Sequence, residues 1–236
     1  MENISLESIL QNMKCAIFDM DGTILNSMPM WTNVGNIFLS ERGMSEDSEL
    51  WALMKTRSLK QVSELIKERY SLSDSADKIY DDLNAITFRE YSTNLLLKDG
   101  AREFLGELKR RGIPAVLATA TDRSCVDACL TRLGIKDDFT HILTCKELGT
   151  SKSEPLIFEE AAKRCGVNKE DAVVFEDALH AVKTALRGGF RVVAIEDIVA
   201  HEKRVGKEDE CDWDEIRAIA TAAVSSWKEP IDAISA

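Results

Sequence analysis

The 236-residue chain contains no run of about 18 or more apolar residues, which excludes a membrane-spanning helix of ordinary length. No basic region opens it: Met1 to Gln11 carries Glu2 and Glu7, so a secretory signal is not expected there. Positive charge is in deficit, with thirty Lys and Arg against forty-one Asp and Glu and a formal net charge of −11. That balance argues against binding nucleic acid by neutralising phosphates, and against docking on an anionic membrane. It leaves room for a small phosphorylated metabolite, whose charge a metal ion and one or two lysines handle locally. There is no Cys-x-x-Cys pair, no internal repeat and no low-complexity tract. The six cysteines are Cys15, Cys125, Cys129, Cys145, Cys165 and Cys211; with 44% apolar residues the chain can build its core without disulfide staples. Cys125 and Cys129, at helical spacing beside Val126 and Leu130, read as small core residues. A reduced, cytoplasmic setting is expected.

What is present is a rhythm of apolar run, amphipathic segment and glycine. The runs are Cys15–Phe18, Ala115–Ala118, the weaker His141–Leu143, Ala172–Phe175 and Arg191–Ile195. Uninterrupted apolar runs of this length suit strands covered on both faces, as in a parallel sheet. Helix patterns lie between them. One carries Ala101, Phe104, Leu105 and Leu108, with Asp99 as the expected cap; another carries Val126, Cys129, Leu130 and Leu133. A third follows Pro155, and a fourth runs from Ala178 to Leu186. The alternation predicts an α/β fold, a doubly wound parallel sheet with the strands' carboxyl ends on one edge.

The segment from 28 to 94 breaks the rhythm. It has almost no glycine, and apolar residues recur at helical spacing: Trp31, Val34, Ile37 and Phe38, then Leu59, Val62, Leu65 and Ile66, then Ile79, Leu83, Ile86 and Phe88. The expected organisation is an α/β core of residues 1–27 and 95–236, with residues 28–94 inserted as an all-helical cap. Beyond Ile195, a last helix with Asp212 as cap is expected to carry Trp213, Ile216, Ile219 and Ala222.

Chemistry-bearing residues gather at the ends of the apolar runs. Phe18-Asp19-Met20-Asp21-Gly22-Thr23 places two carboxylates directly after a buried strand, a costly position unless their charge is used. Thr119 closes the second run, Lys152 precedes the third helix, and Glu176-Asp177 closes the fourth run. Carboxylates, a hydroxyl and an ammonium on one sheet edge suit Mg²⁺ and a phosphate.

In order and spacing, Asp19-Met20-Asp21-Gly22-Thr23, Thr119, Lys152 and Glu176-Asp177 resemble the four motifs of the haloacid dehalogenase superfamily. The resemblance covers Lys14 to about Ile195, and the insertion is similar to the helical cap of the subfamily with phosphoglycolate phosphatase and β-phosphoglucomutase. It implies a Mg²⁺-dependent phosphatase acting on a small phosphomonoester. Asp19 would be the nucleophile that forms an aspartyl phosphate, and Asp21 the general acid and base. Thr119 and Lys152, with the amides of Met20 and Ala120, would bind the phosphoryl oxygens. Asp19, the Asp21 carbonyl, Asp177 and Glu176 would form the metal set. Ser27, Met28 and Trp31 are candidates for touching the leaving group. The family's third motif often reads Lys-Pro after a glycine, where this chain has Ser151-Lys152-Ser153. The alternatives are a phosphosugar mutase, against which the absence of histidine in Met28-Pro29-Met30-Trp31 speaks, and a silent binding protein on the same fold. His180 reads as a bystander.

Overall fold

The computed structural model describes residues 5–55, 57–204 and 207–235. In chain order the elements are α1 (Leu6–Gln11), β1 (Cys15–Phe18), α2 (Met28–Ser40), α3 (Leu50–Met54), α4 (Leu59–Arg69), α5 (Ala76–Thr93), α6 (Ala101–Arg110), β2 (Ala115–Thr119), α7 (Arg123–Leu133), β3 (His141–Thr144), α8 (Cys145–Leu148), α9 (Leu156–Arg164), β4 (Ala172–Glu176), α10 (Leu179–Arg187) and β5 (Arg191–Ile195). The strands β6 (Lys203–Arg204) and β7 (Lys207–Cys211), α11 (Asp212–Ile219), β8 (Ala222–Val224) and α12 (Lys228–Ser235) follow. They divide into two compact units. One comprises Met1–Asn26 with Leu96–Ala236, the other Ser27–Leu95, one residue wider at each end than the expected 28–94.

In the first unit six parallel strands lie in the order β3-β2-β1-β4-β5-β8, the doubly wound arrangement expected. The chain steps from β1 outward through β2 to β3, then returns to the other side of β1 for β4, so the strand order reverses between β1 and β4. Such a reversal opens a crevice at the carboxyl ends, where ligands bind in open α/β sheets. Register places Phe18 beside both Phe175 and Leu117, so Asp19 comes level with Glu176 one residue later.

Both faces of the sheet are covered, as the apolar runs require. Ile17, Val116, Val174 and Val192 pack with Ile157, Phe158, Ala161, Ala181, Val182 and Ala185 of α9 and α10, all fully buried. On the aromatic side, Phe18 stacks on Phe175 with centroids 4.8 Å apart, and Phe104 and Trp227 close the cluster at 5.1 Å from each other. Each of these aromatic side chains contributes about 1.5–3 kcal/mol by leaving water. The cluster lies directly beneath the carboxyl edge that carries Asp19 and Glu176.

Three local expectations are corrected. Ala222 belongs to the sheet's sixth strand, not to the helix expected to be last: α11 ends at Ile219, it begins at Asp212 with Cys211 as its cap, and α12 follows. Gly100, not Asp99, caps α6, in a left-handed conformation at φ 87°. A side chain there would meet the Cβ of Trp227 at 2.9 Å, so the residue also has no room for one. In the helical unit Ile79, Leu83 and Ile86 are buried on α5, but Phe88 is 44% exposed. The inward place expected of Phe88 is taken by Thr87, whose hydroxyl bonds back to Leu83 O at 2.9 Å, and by Tyr91. That unit consists of α2 to α5; Ser58 and Gln61 cap α4 reciprocally in a capping box, and Ser75 caps α5. Among the described residues no helix is long and apolar enough to cross a membrane.

Candidate active site

The carboxyl ends of β1 and β4 bring Asp19, Glu176 and Asp177 together, with carboxylate oxygens all within 4.8 Å of one another. Three anions this close, each at most 9% exposed, need positive charge. Lys152 supplies part of it. It lies in the turn before α9, is 6% exposed, and bonds both Asp19 Oδ1 and Glu176 Oε1, the latter at 2.6 Å. Glu176 is fixed further by accepting from the amides of Asp177 and Ala178 at 2.8 and 2.9 Å, through Oε2. Asp177 Oδ1 accepts from Thr23 Oγ1 at 2.9 Å, and Thr23 O accepts from Trp227 Nε1 at 3.1 Å. The aromatic cluster thus holds the turn after β1 from below, and the turn holds Asp177 from the side.

Gly22 is required at that turn. Its φ is +81°, and a Cβ would run into the Asp177 carboxylate, 2.8 Å from Cγ. Only glycine allows the turn to close on this carboxylate.

The electrostatics follow from the burial. Loss of water is the largest influence on Asp19 and raises its carboxyl to about 7; Lys152 opposes the shift, while Glu176 and Asp21 add to it. Asp177 is pushed well above the ordinary carboxylate range, first by burial and then by the charges of Glu176, Asp19 and Asp197. Burial pulls the Lys152 ammonium down, but Asp19 and Glu176 outweigh it and hold its pKa above the usual lysine value. One ammonium does not balance three carboxylates. The set is made of hard oxygen donors with no nitrogen or sulfur ligand, and it fits a hard divalent cation.

Asp21 is half-buried, and its Oδ2 accepts from Thr121 Oγ1 at 2.5 Å. Thr119, 1% exposed at the end of β2, accepts from the amide of Thr121 through Oγ1 at 3.1 Å. A hydroxyl used in this way as acceptor keeps its proton to donate. Met20 is buried directly after Asp19, and Ala120 is exposed directly after Thr119.

Ser27, Met28 and Trp31 lie in the helical unit and are described within it. Ser27 is fully buried just before α2 and its hydroxyl has no partner among the described residues. Met28 is half-buried. Trp31 is half-buried too, and its Nε1 donates to Tyr91 OH at 3.1 Å. His180 is exposed on the first turn of α10.

Several contributors escape a reading of the sequence. Thr121 and Trp227 are single residues in no pattern. Lys98, before α6, pairs with Asp197, after β5, at 2.7 Å. The signal for Asp197 was available: it stands two residues past an apolar run, as Asp177 stands two past Phe175.

A family model of haloacid dehalogenase-like hydrolases matches residues 13–189. The chain is 25% identical over 182 residues to a bifunctional riboflavin kinase/FMN phosphatase of Arabidopsis thaliana; the match takes in 77% of this chain but only 48% of that protein. It is 25% identical over 185 residues to hexitol phosphatase B of Escherichia coli K12, covering 76% of this chain and 82% of the other. Among solved structures, the β-phosphoglucomutase of Clostridium difficile superposes with a TM-score of 0.67 at 20% identity, covering 92% of each chain. That last likeness is one of fold.

Proposed function

The chain belongs to the haloacid dehalogenase-like hydrolase family, and we propose that within it the protein is a Mg²⁺-dependent phosphatase of a small phosphomonoester, a sugar phosphate or a compound of similar size. The observation that carries this reading is the joint hold of Lys152 on Asp19 and Glu176, beside Asp177, at the point where the strand order reverses. That arrangement keeps a carboxylate aimed at the crevice with a cation next to it.

In the first step an Asp19 carboxylate oxygen attacks phosphorus. The bond from Asp19 to phosphorus forms and the bond from phosphorus to the ester oxygen breaks. Asp21 gives its proton to the departing oxygen. In the second step water attacks the phosphorus of the aspartyl phosphate, Asp21 takes the water's proton, and inorganic phosphate leaves with Asp19 restored. Thr119 donates to a phosphoryl oxygen, and Lys152 offers the third of its N–H donors to another. Lys152 also opposes the uptake of a proton that burial favours at Asp19. Asp19, Asp177 and the Asp21 carbonyl would hold Mg²⁺, which when bound neutralises charge between the anionic nucleophile and the anionic substrate. Glu176 Oε1 accepts from Lys152 and has a second lone pair for the ion, so Glu176 would hold Lys152 and could join the metal set. Selectivity for the leaving group is assigned to residues outside the cluster, with Ser27, Met28 and Trp31 as candidates.

Phosphate release from a panel of small phosphomonoesters tests the reading, with Mg²⁺ and with chelator, for wild type and Asp19→Asn. Release that needs the metal and falls by at least about 10³-fold in Asp19→Asn is expected. Release that survives the substitution overturns the mechanism. Conversion of a glucose 1-phosphate to glucose 6-phosphate faster than to free phosphate would replace the phosphatase with a mutase.

A further inference from the structure

We infer that Thr121 is a positioning residue for Asp21: it anchors one oxygen of the acid/base carboxyl, so that the proton is carried and delivered by the other. The inference rests on the phosphatase reading above. Thr121 sits two residues past Thr119, in the turn between β2 and α7, and its hydroxyl donates to Asp21 Oδ2 at 2.5 Å. The turn itself is fixed, because the Thr121 amide donates to Thr119 Oγ1 at 3.1 Å. One three-residue turn therefore holds two groups in register: the hydroxyl expected to meet the phosphoryl oxygen and the hydroxyl that meets the acid/base.

The chemistry of the two partners gives the pairing its consequence. A hydroxyl has a single proton to donate. While Thr121 spends it on Oδ2, that oxygen is an acceptor in both charge states of Asp21. A protonated Asp21 then carries its proton on Oδ1. A carboxyl on a strand-end turn otherwise rotates about χ2, where the torsion is broad and nearly two-fold. The bond removes that freedom, and proton transfer to the leaving oxygen, and later from water, runs through one defined atom. Geometry of this kind matters most where the proton must move in the transition state, and least where the leaving group departs without it.

The test compares Thr121→Val and Thr121→Ser with wild type on two esters: an alkyl phosphate, whose leaving oxygen needs a proton, and p-nitrophenyl phosphate, whose leaving oxygen does not. Circular dichroism and thermal unfolding establish that each variant is folded. Expected for Thr121→Val is a fall in kcat of at least about tenfold on the alkyl ester, short of the roughly 10²–10⁴-fold attributed to a whole acid/base group. The fall in the rate of ester cleavage in single-turnover measurements on the aryl ester should be less than about threefold, with KM on both within about twofold. Thr121→Ser should restore the wild-type rate. In an Asp21→Asn background, Thr121→Val should add nothing. Equal losses on both esters, failure of serine to rescue, or a full additional loss in the Asp21→Asn background overturns the inference and leaves the phosphatase standing. A wild type inactive on both esters with Mg²⁺ overturns the phosphatase reading and this inference with it.

Discussion

In the α/β unit Asp19, Glu176, Asp177 and Asp197 are each at most 9% exposed, and all four lie at or just beyond the ends of β1, β4 and β5. In the helical unit the ion-paired carboxylates stay near water: Asp47, Asp82 and Glu41 keep 17%, 24% and 43% of their side-chain surface. What that unit buries is uncharged: Phe38, Ile66, Ile79 and Leu83 are fully covered, with the hydroxyl residues Ser27, Ser63 and Thr87. The two units are thus stabilised on different terms. A helical packing layer gains from apolar burial, and its surface ion pairs add little. A buried ionic cluster gains nothing comparable, since desolvation consumes most of the attraction between the charges. Its presence at one sheet edge marks a place where charge is retained for chemistry at the expense of stability.

The largest effect that would break this contrast is at Lys152. Lys152→Met keeps most of the side-chain volume but leaves Asp19 and Glu176 buried without their ammonium. A loss of about 3–5 kcal/mol is expected in urea or thermal unfolding, together with loss of phosphatase activity. Asp19→Asn, equally inactive, should move stability the other way, because it removes one of three neighbouring anions. A metal-free Asp19→Asn protein melting below wild type would show that the cluster is not under electrostatic strain. The next effect belongs to the helical unit. Leu83→Ala opens a cavity under α5 and should cost about 2–5 kcal/mol. While folded, that variant should cleave the smallest phosphomonoesters at a rate within about twofold of wild type. A large loss of rate there would tie the chemistry to the helical packing and erase the division.

The same contrast explains what was legible in the sequence. Strands β1, β2 and β4 announce themselves because burial on both faces leaves them apolar up to their last residue, and the change to Asp, Thr or Glu-Asp at their ends is abrupt; β3 and β5 open on His141 and Arg191. Three of the four elements of the site fall at those changes, so Asp19, Asp21, Thr119, Glu176 and Asp177 are readable from their place, while Lys152 lies in the turn before α9. Strand β8 is three residues, Ala222-Ala223-Val224, with two half-exposed alanines, and it carries neither length nor alternation. A helix pattern running through Trp213 and Ile216 extends onto it by accident of spacing. Phe88 shows the complementary failure: its spacing suits the buried stripe, but packing chose Thr87 and Tyr91. Thr121 and Trp227 are illegible for another reason. Each reaches the site through a bond to a partner more than 90 residues away, and no local pattern encodes such a bond.

The smallest expected effect sharpens the surface side of the contrast. Asp47 accepts from Arg69 Nε at 2.7 Å, from Tyr70 OH at 2.7 Å and from the Glu49 amide at 2.9 Å. The Arg69 bond first, then those of Tyr70 and Glu49, hold its carboxyl down at about 2, against 3.8 for the free side chain. A depressed carboxyl contributes stability that is complete above its unfolded pKa and disappears as pH falls through its folded one. Asp47→Asn should therefore lower Tm at pH 7 by less than Leu83→Ala does, since the pair is bathed in water. The difference from wild type should begin to shrink below about pH 4 and be nearly gone by about pH 2, read as Tm across that range. A difference that stays constant down to pH 2 would mean that neutral hydrogen bonds, not the charge, tie the loop before α3 to the end of α4. The helical unit would then resemble the sheet edge more than the burial of its carboxylates suggests.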